Sequence, residues 1–186
     1  LSVSELVIGA QAGKQYAVQG DYSTDAIVEP SVQYDVRGNT GELTITQPTD
    51  QLSFPSGWSN QNRISVNLPA GIPIDLTVSS DMGSMTLDLS KLDIRSLTVK
   101  NEMGQVTAIL PQSAEMETLS ISASMGSVTV KPPDGSTITT RDMRVESDSG
   151  AVTVNLPSKG SLGEVYVRSD MGSVQVLAPD GASLSM

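Results

Sequence analysis

Four methionines stand directly before a glycine, at Met82, Met103, Met125 and Met171, and Asp81, Glu102 and Asp170 stand directly before three of them. Asp148, ahead of Ser149-Gly150, keeps the acid's phase where the methionine is missing, and Ser124 interrupts the acids. Such residues are open to three kinds of chemistry. Thioethers ligate soft ions such as Cu(I), usually as closely spaced, exposed methionines helped by His or Cys. Stacked carboxylates chelate Ca²⁺, which takes about six to eight oxygens. Two acids at a set separation, beside a sugar-binding surface, cleave glycosides.

Composition narrows these choices. The 186 residues hold no His and no Cys, which excludes imidazole and thiolate zinc sites and Ser–His–Asp or Cys–His nucleophilic machinery. A net charge of −10 argues against nucleic acid and anionic membrane as partners, since both need clustered Lys and Arg. One Trp, one Phe and four Tyr make a poor platform for sugars, and the acids recur with a repeat instead of standing apart as a catalytic pair would. The expectation is therefore no enzyme and no cofactor. No apolar run reaches membrane-span length, so the domain itself is not expected to insert. A chain opening at Leu1 points to an excised or processed fragment, with any anchor carried by a flanking segment.

The elements that position these residues follow from a repeat. Aligned on the glycine, the motif recurs at Gly83, Gly104, Gly126, Gly150 and Gly172, a period near 22, and earlier steps reach Asn62 and Gly41. Five and seven residues before the glycine the side chains are apolar (Leu76 and Val78, Leu97 and Val99, Leu119 and Ile121), as they are two and four after it (Met85 and Leu87, Val128 and Val130). Polar residues lie between. This period-2 alternation marks half-buried strands on both sides of a glycine corner. Seven residues after the glycine stand Pro48, Pro69, Pro111, Pro133, Pro157 and Pro179, with only Ser90 departing; proline lacks the N–H of a ladder and belongs at a strand's end. No segment has helical periodicity. Recurrence of like residues at like positions favours an all-β, single-stranded β-solenoid (β-helix) over a sandwich, because stacked coils reward self-similarity. Length over period gives about eight short coils in a single domain, 1–186, with 1–30 an irregular N-terminal coil or cap around Gly13 and 31–181 the regular repeats.

Within such a coil the four methionines fall in phase with the inward positions, so they are expected as an internal ladder filling an irregular corner. The acids point outward as a column, where turn chemistry is the leading account and Ca²⁺ the alternative. Asp81 and Asp170 are retained as candidate partner-binding residues. The irregular stretch 47–63 holds the only Phe (Phe54) and the only Trp (Trp58). These aromatics are expected to complete or cover an early coil, and Trp58 is the strongest single binding candidate.

The stretches "RSLTVKNEMGQVTAILP" and "YDVRGNTGELTITQP" resemble the toastrack domain, an adhesin-like family of bacterial envelope proteins that includes envelope-stress regulators of the LiaF kind. The family coil places Ala before the final Gly where this chain has Met, and an aromatic recurs near the Phe54–Trp58 stretch. The resemblance implies a non-catalytic extracytoplasmic envelope module, at the cell surface or membrane-anchored, that binds a protein or cell-surface partner as an adhesin or a stress sensor. It brings no catalytic residues. The alternatives are a polysaccharide-active β-helix enzyme and a Ca²⁺-dependent adhesin. Open strand edges at a solenoid's ends further imply self-association through an end.

Overall fold

The computed structural model describes residues 2–13, 15, 17–21, 31–37, 40–46 and 63–179. Every element among them is a strand: β1 (Ser2–Gln11), β2 (Ala17–Asp21), β3 (Ser31–Arg37), β4 (Thr40–Thr46), β5 (Arg63–Pro69), β6 (Pro73–Asp88) and β7 (Asp93–Met103). There follow β8 (Val106–Ile109), β9 (Ser113–Met125), β10 (Val128–Lys131), β11 (Thr137–Ser149), β12 (Val152–Asn155), β13 (Leu162–Met171) and β14 (Val174–Leu177).

From Pro73 onward the chain winds as a solenoid. Each coil has a long arm, a glycine corner and a short arm. The long arms stack in parallel as β6–β7–β9–β11–β13, and the short arms as β6–β8–β10–β12–β14, with β6 long enough to supply both. Like positions therefore meet. Leu76, Leu97, Leu119, Met143 and Val165 form one ladder, and Val78, Val99, Ile121, Val145 and Val167 the next. Met85, Val106, Val128, Val152 and Val174 face them from the short arms. The core lies between the arms: Leu97, Val99, Ile121, Val106, Val128 and Val152 are fully enclosed. Parallel strands lie about 4.8 Å apart, so β-branched and leucine side chains stack one on another down each ladder.

The corners at the far side of the coil follow the proline rule. After Pro69 and Pro133, Gly71 and Gly135 take positive φ (79° and 70°). Where Ser90 replaces proline, an aspartate makes the turn: the Asp88 carboxylate accepts from the Ser90 N–H (3.1 Å) and from its hydroxyl (2.6 Å).

The solenoid class and the period hold, but there are five coils where length over period implies about eight. The N-terminal part departs from the repeat in two ways. β1 sits between β5 and β6, parallel to both, so the spatial order β2–β5–β1–β6 differs from chain order, and β2 runs antiparallel to β5. Leu6 and Ile8 are buried within the stack, beside Met85 and Leu87 on one side and Ile64 and Val66 on the other. β3 and β4 make an antiparallel hairpin in a sheet of their own, where Gly41 pairs with Val36 and is no coil corner. Alternation says which side chains face the core, but it is the same whether a strand's neighbour is the next in sequence or runs antiparallel. Asn62 and Pro48 lie outside the described residues.

Candidate binding surface

The glycine corner is built by close backbone approach. Gly83, Gly104, Gly126 and Gly150 all have positive φ (105°, 124°, 137° and 151°). A Cβ on Gly104, Gly126, Gly150 or Gly172 would meet the carbonyl of the preceding coil's corner glycine well inside 3.0 Å. The N–H of Gly104 donates to the Met125 carbonyl (2.8 Å), that of Gly126 to Ser149 (2.8 Å) and that of Gly150 to Met171 (2.9 Å). Glycine is thus required both for its backbone region and for its missing side chain.

Three residues before each corner glycine lies a small column that the sequence reading passed over: Ser80, Asn101, Ala123, Ser147 and Ser169. The first four are buried. Asn101 Nδ2 donates to the Gly83 carbonyl (3.2 Å), Ser147 Oγ to Gly126 (2.9 Å) and Ser169 Oγ to Gly150 (2.7 Å), while Ser80 Oγ bonds within its own turn to the Met82 carbonyl (2.9 Å). The signal was present: an inward position that holds only Ser, Asn or Ala is one where the core gives way to backbone.

This packing turns the methionines outward, which overturns the expected internal ladder. Met103 is 39% exposed, Met125 54% and Met171 71%, and Met82 is half-buried. The stacked glycine backbones fill the inside of the corner, leaving no space there for a side chain one residue earlier. The methionines that do fill the core are Met85, Met116 and Met143. Register places Met82, Met103, Met125, Ser149 and Met171 in one outer ladder.

The acids run beside it. Glu102, Asp148 and Asp170 are exposed and Asp81 half-buried, with Ser124 separating Asp81 and Glu102 from Asp148 and Asp170. Asp170 pairs with Arg168 (2.5 Å) on the same strand, as Glu146 pairs with Arg144 (2.9 Å). Hydrogen bonding to Glu146 raises the Arg144 pKa above its ordinary value; Tyr166, then Asp170, does the same for Arg168. The Arg144 guanidinium also lies 4.5 Å from the centre of the Tyr166 ring. Among the described residues no three of His, Cys, Asp and Glu converge on a point where a metal ion could sit. Asp81 and Asp170 thus lie at opposite ends of one column, and Phe54 and Trp58 fall outside the described residues.

Fold and surface together define a β-solenoid, without helix among the described residues, whose exposed thioethers and carboxylates follow one corner from coil to coil. The chain belongs to the toastrack family: residues 1–131 match the model of the N-terminal domain of toast_rack, DUF2154. It is similar in fold to the crystal structure of a candidate cell adhesion protein from Clostridium sporogenes, with a TM-score of 0.71 and 22% identity over 96% of this chain and 89% of that one. No curated protein matches it. No helix among the described residues is long and apolar enough to cross a membrane.

Proposed function

We propose that the domain is a non-catalytic, extracytoplasmic adhesin-like module that binds a protein or cell-surface partner along its Met-Gly corner. The observation that carries this reading is the outer methionine ladder, exposed at Met103, Met125 and Met171 although the same residue type is buried elsewhere in the chain. Methionine is flexible and polarizable, which suits an adaptable contact surface. The flanking Asp81, Glu102, Asp148 and Asp170, on a chain of net charge −10, select a partner that offers basic groups beside apolar ones. Family membership and the adhesion assignment of the Clostridium sporogenes protein support a binding role over an enzymatic one. An envelope-stress role would use the same corner for a protein partner, with membrane attachment supplied by a flanking segment. Phe54 and Trp58 are a second candidate contact.

The test is retention of the labelled chain on intact cells and on isolated envelope of its source. A Met103→Ser/Met125→Ser/Met171→Ser variant should lose most of that retention, and Asp81→Asn/Asp170→Asn should weaken it in a salt-dependent way. Undiminished retention by the triple variant would overturn the assignment of the surface. Turnover on a panel of glycans would overturn the non-catalytic reading.

A further inference from the structure

In strand register, methionine neighbours methionine at one place among the described residues. Met82 lies beside Met103, and Met103 beside Met125, on three consecutive coils. Neighbouring strands are about 4.8 Å apart, so the Cα atoms of the three span roughly 10 Å. The buried methionines have no such company. Met85 stacks between Leu6 and Val106, Met143 between Leu119 and Val165, and Met116 lies beside Thr140. Met171 is cut off from Met125 by Ser149. A methionine packed inside the corner could not reach an ion from solvent, but Met103 and Met125 are exposed and Met82 is half-buried. Each carries its sulfur on an unbranched, flexible side chain, which lets the outer two lean toward the middle one.

We propose that Met82, Met103 and Met125 together form a binding site for a soft monovalent cation of the Cu(I) class. Thioether sulfur selects such ions over hard ones. A d10 ion of this kind accepts a low coordination number, so these three sulfurs serve it without the His or Cys that the chain lacks. Harder ions find less at the same corner, where no three carboxylates converge. The thioethers themselves are neutral. Attraction for the cation comes from Asp81 and Glu102, directly before Met82 and Met103, and from a net charge of −10. The site rests on the outward, adjacent placement of the three thioethers and does not require the adhesive role proposed for the same corner.

Ag(I) is a suitable probe, because it shares the soft d10 character and keeps one oxidation state in air. Isothermal titration calorimetry of the full chain with Ag(I) in chloride-free buffer should give a single bound ion per chain. Met103→Leu should weaken that binding by about tenfold or more, and Met82→Leu/Met103→Leu/Met125→Leu should abolish it. Met171→Leu should leave it unchanged, since Ser149 separates that residue from the other three. Leucine keeps the volume and the apolar surface, so unchanged thermal melting controls for folding, and the readout is blind to whether the corner also holds a partner. Loading with Cu(I) under anaerobic conditions should give an X-ray absorption spectrum with sulfur as the nearest scatterer. Equal Ag(I) binding by the chain and its triple leucine variant, an equal loss on Met171→Leu, or a nearest shell of oxygen or nitrogen would each overturn the proposal.

Discussion

Ser147 donates its hydroxyl to the carbonyl of Gly126 at 2.9 Å, from one coil to the coil before it, with only 1% of its own surface exposed. Asn101 and Ser169 repeat the contact toward Gly83 and Gly150. The corner that turns the chain is therefore also stitched along the solenoid axis. One coil lacks the stitch, because Ala123 faces the Gly104 carbonyl with no donor to offer.

This gap makes a paired prediction. Ser147→Ala should lower stability by about 1–2 kcal/mol, the cost of stranding a buried carbonyl, and Ala123→Ser should raise it by about 0.5–1.5 kcal/mol by supplying the missing donor. Urea unfolding followed by far-UV circular dichroism measures both. Equal midpoints for all three proteins would show that the bond contributes nothing net.

The corner glycines should be far less tolerant than the turn glycines. At Gly126 a Cβ would collide with the Gly104 carbonyl, at a φ of 137°, so Gly126→Ala should cost at least about 3 kcal/mol or prevent folding. Gly71 has a φ of 79° but no atom within 4 Å of its Cβ position, so Gly71→Ala should cost only about 1 kcal/mol. Similar losses at the two sites would remove close approach as the reason for glycine at the corner.

The two populations of methionine can be told apart by one substitution. Met125→Ser reproduces what the chain already has at Ser149, on the exposed ladder, and should change stability by no more than about 0.5 kcal/mol. Met143→Ser empties an enclosed site and leaves a hydroxyl in it, so it should cost about 3 kcal/mol or more. A large loss at Met125 would return that side chain to the core.

The sequence carried the class of fold well, because stacking makes each ladder visible as recurrence: Leu97 above Leu119, Val128 above Val106. It carried the corner poorly. Period-2 alternation extrapolates inward to Met82, Met103 and Met125, yet the strand leaves the core after the small residue at Ser80, Asn101 or Ala123. Only contact between glycine backbones of different coils enforces that exit, and a pattern read within one coil cannot show it. The insertion of β1 between β5 and β6 was equally hidden, since Leu6 and Ile8 alternate as any arm does and the pairing choice is made by distant strands. The acids were legible as an outward column because solvated carboxylates need no particular partner.

That column yields the last prediction. Asp81 lies beside Glu102 and Asp148 beside Asp170, but Ser124 stands between the two pairs. Each pair offers at most about four carboxylate oxygens against the six to eight that Ca²⁺ takes, and Asp170 is already engaged by Arg168. Millimolar Ca²⁺ should therefore raise the melting temperature no more than Mg²⁺ at equal ionic strength does. Ser124→Asp would join the pairs into an unbroken run of five acids, with repulsion between neighbours about 4.8 Å apart. That variant should melt lower than the parent without divalent ions and recover on adding Ca²⁺. A saturable Ca²⁺ response in the parent chain would instead show that the paired acids already bind the ion, and would favour a Ca²⁺-dependent adhesin.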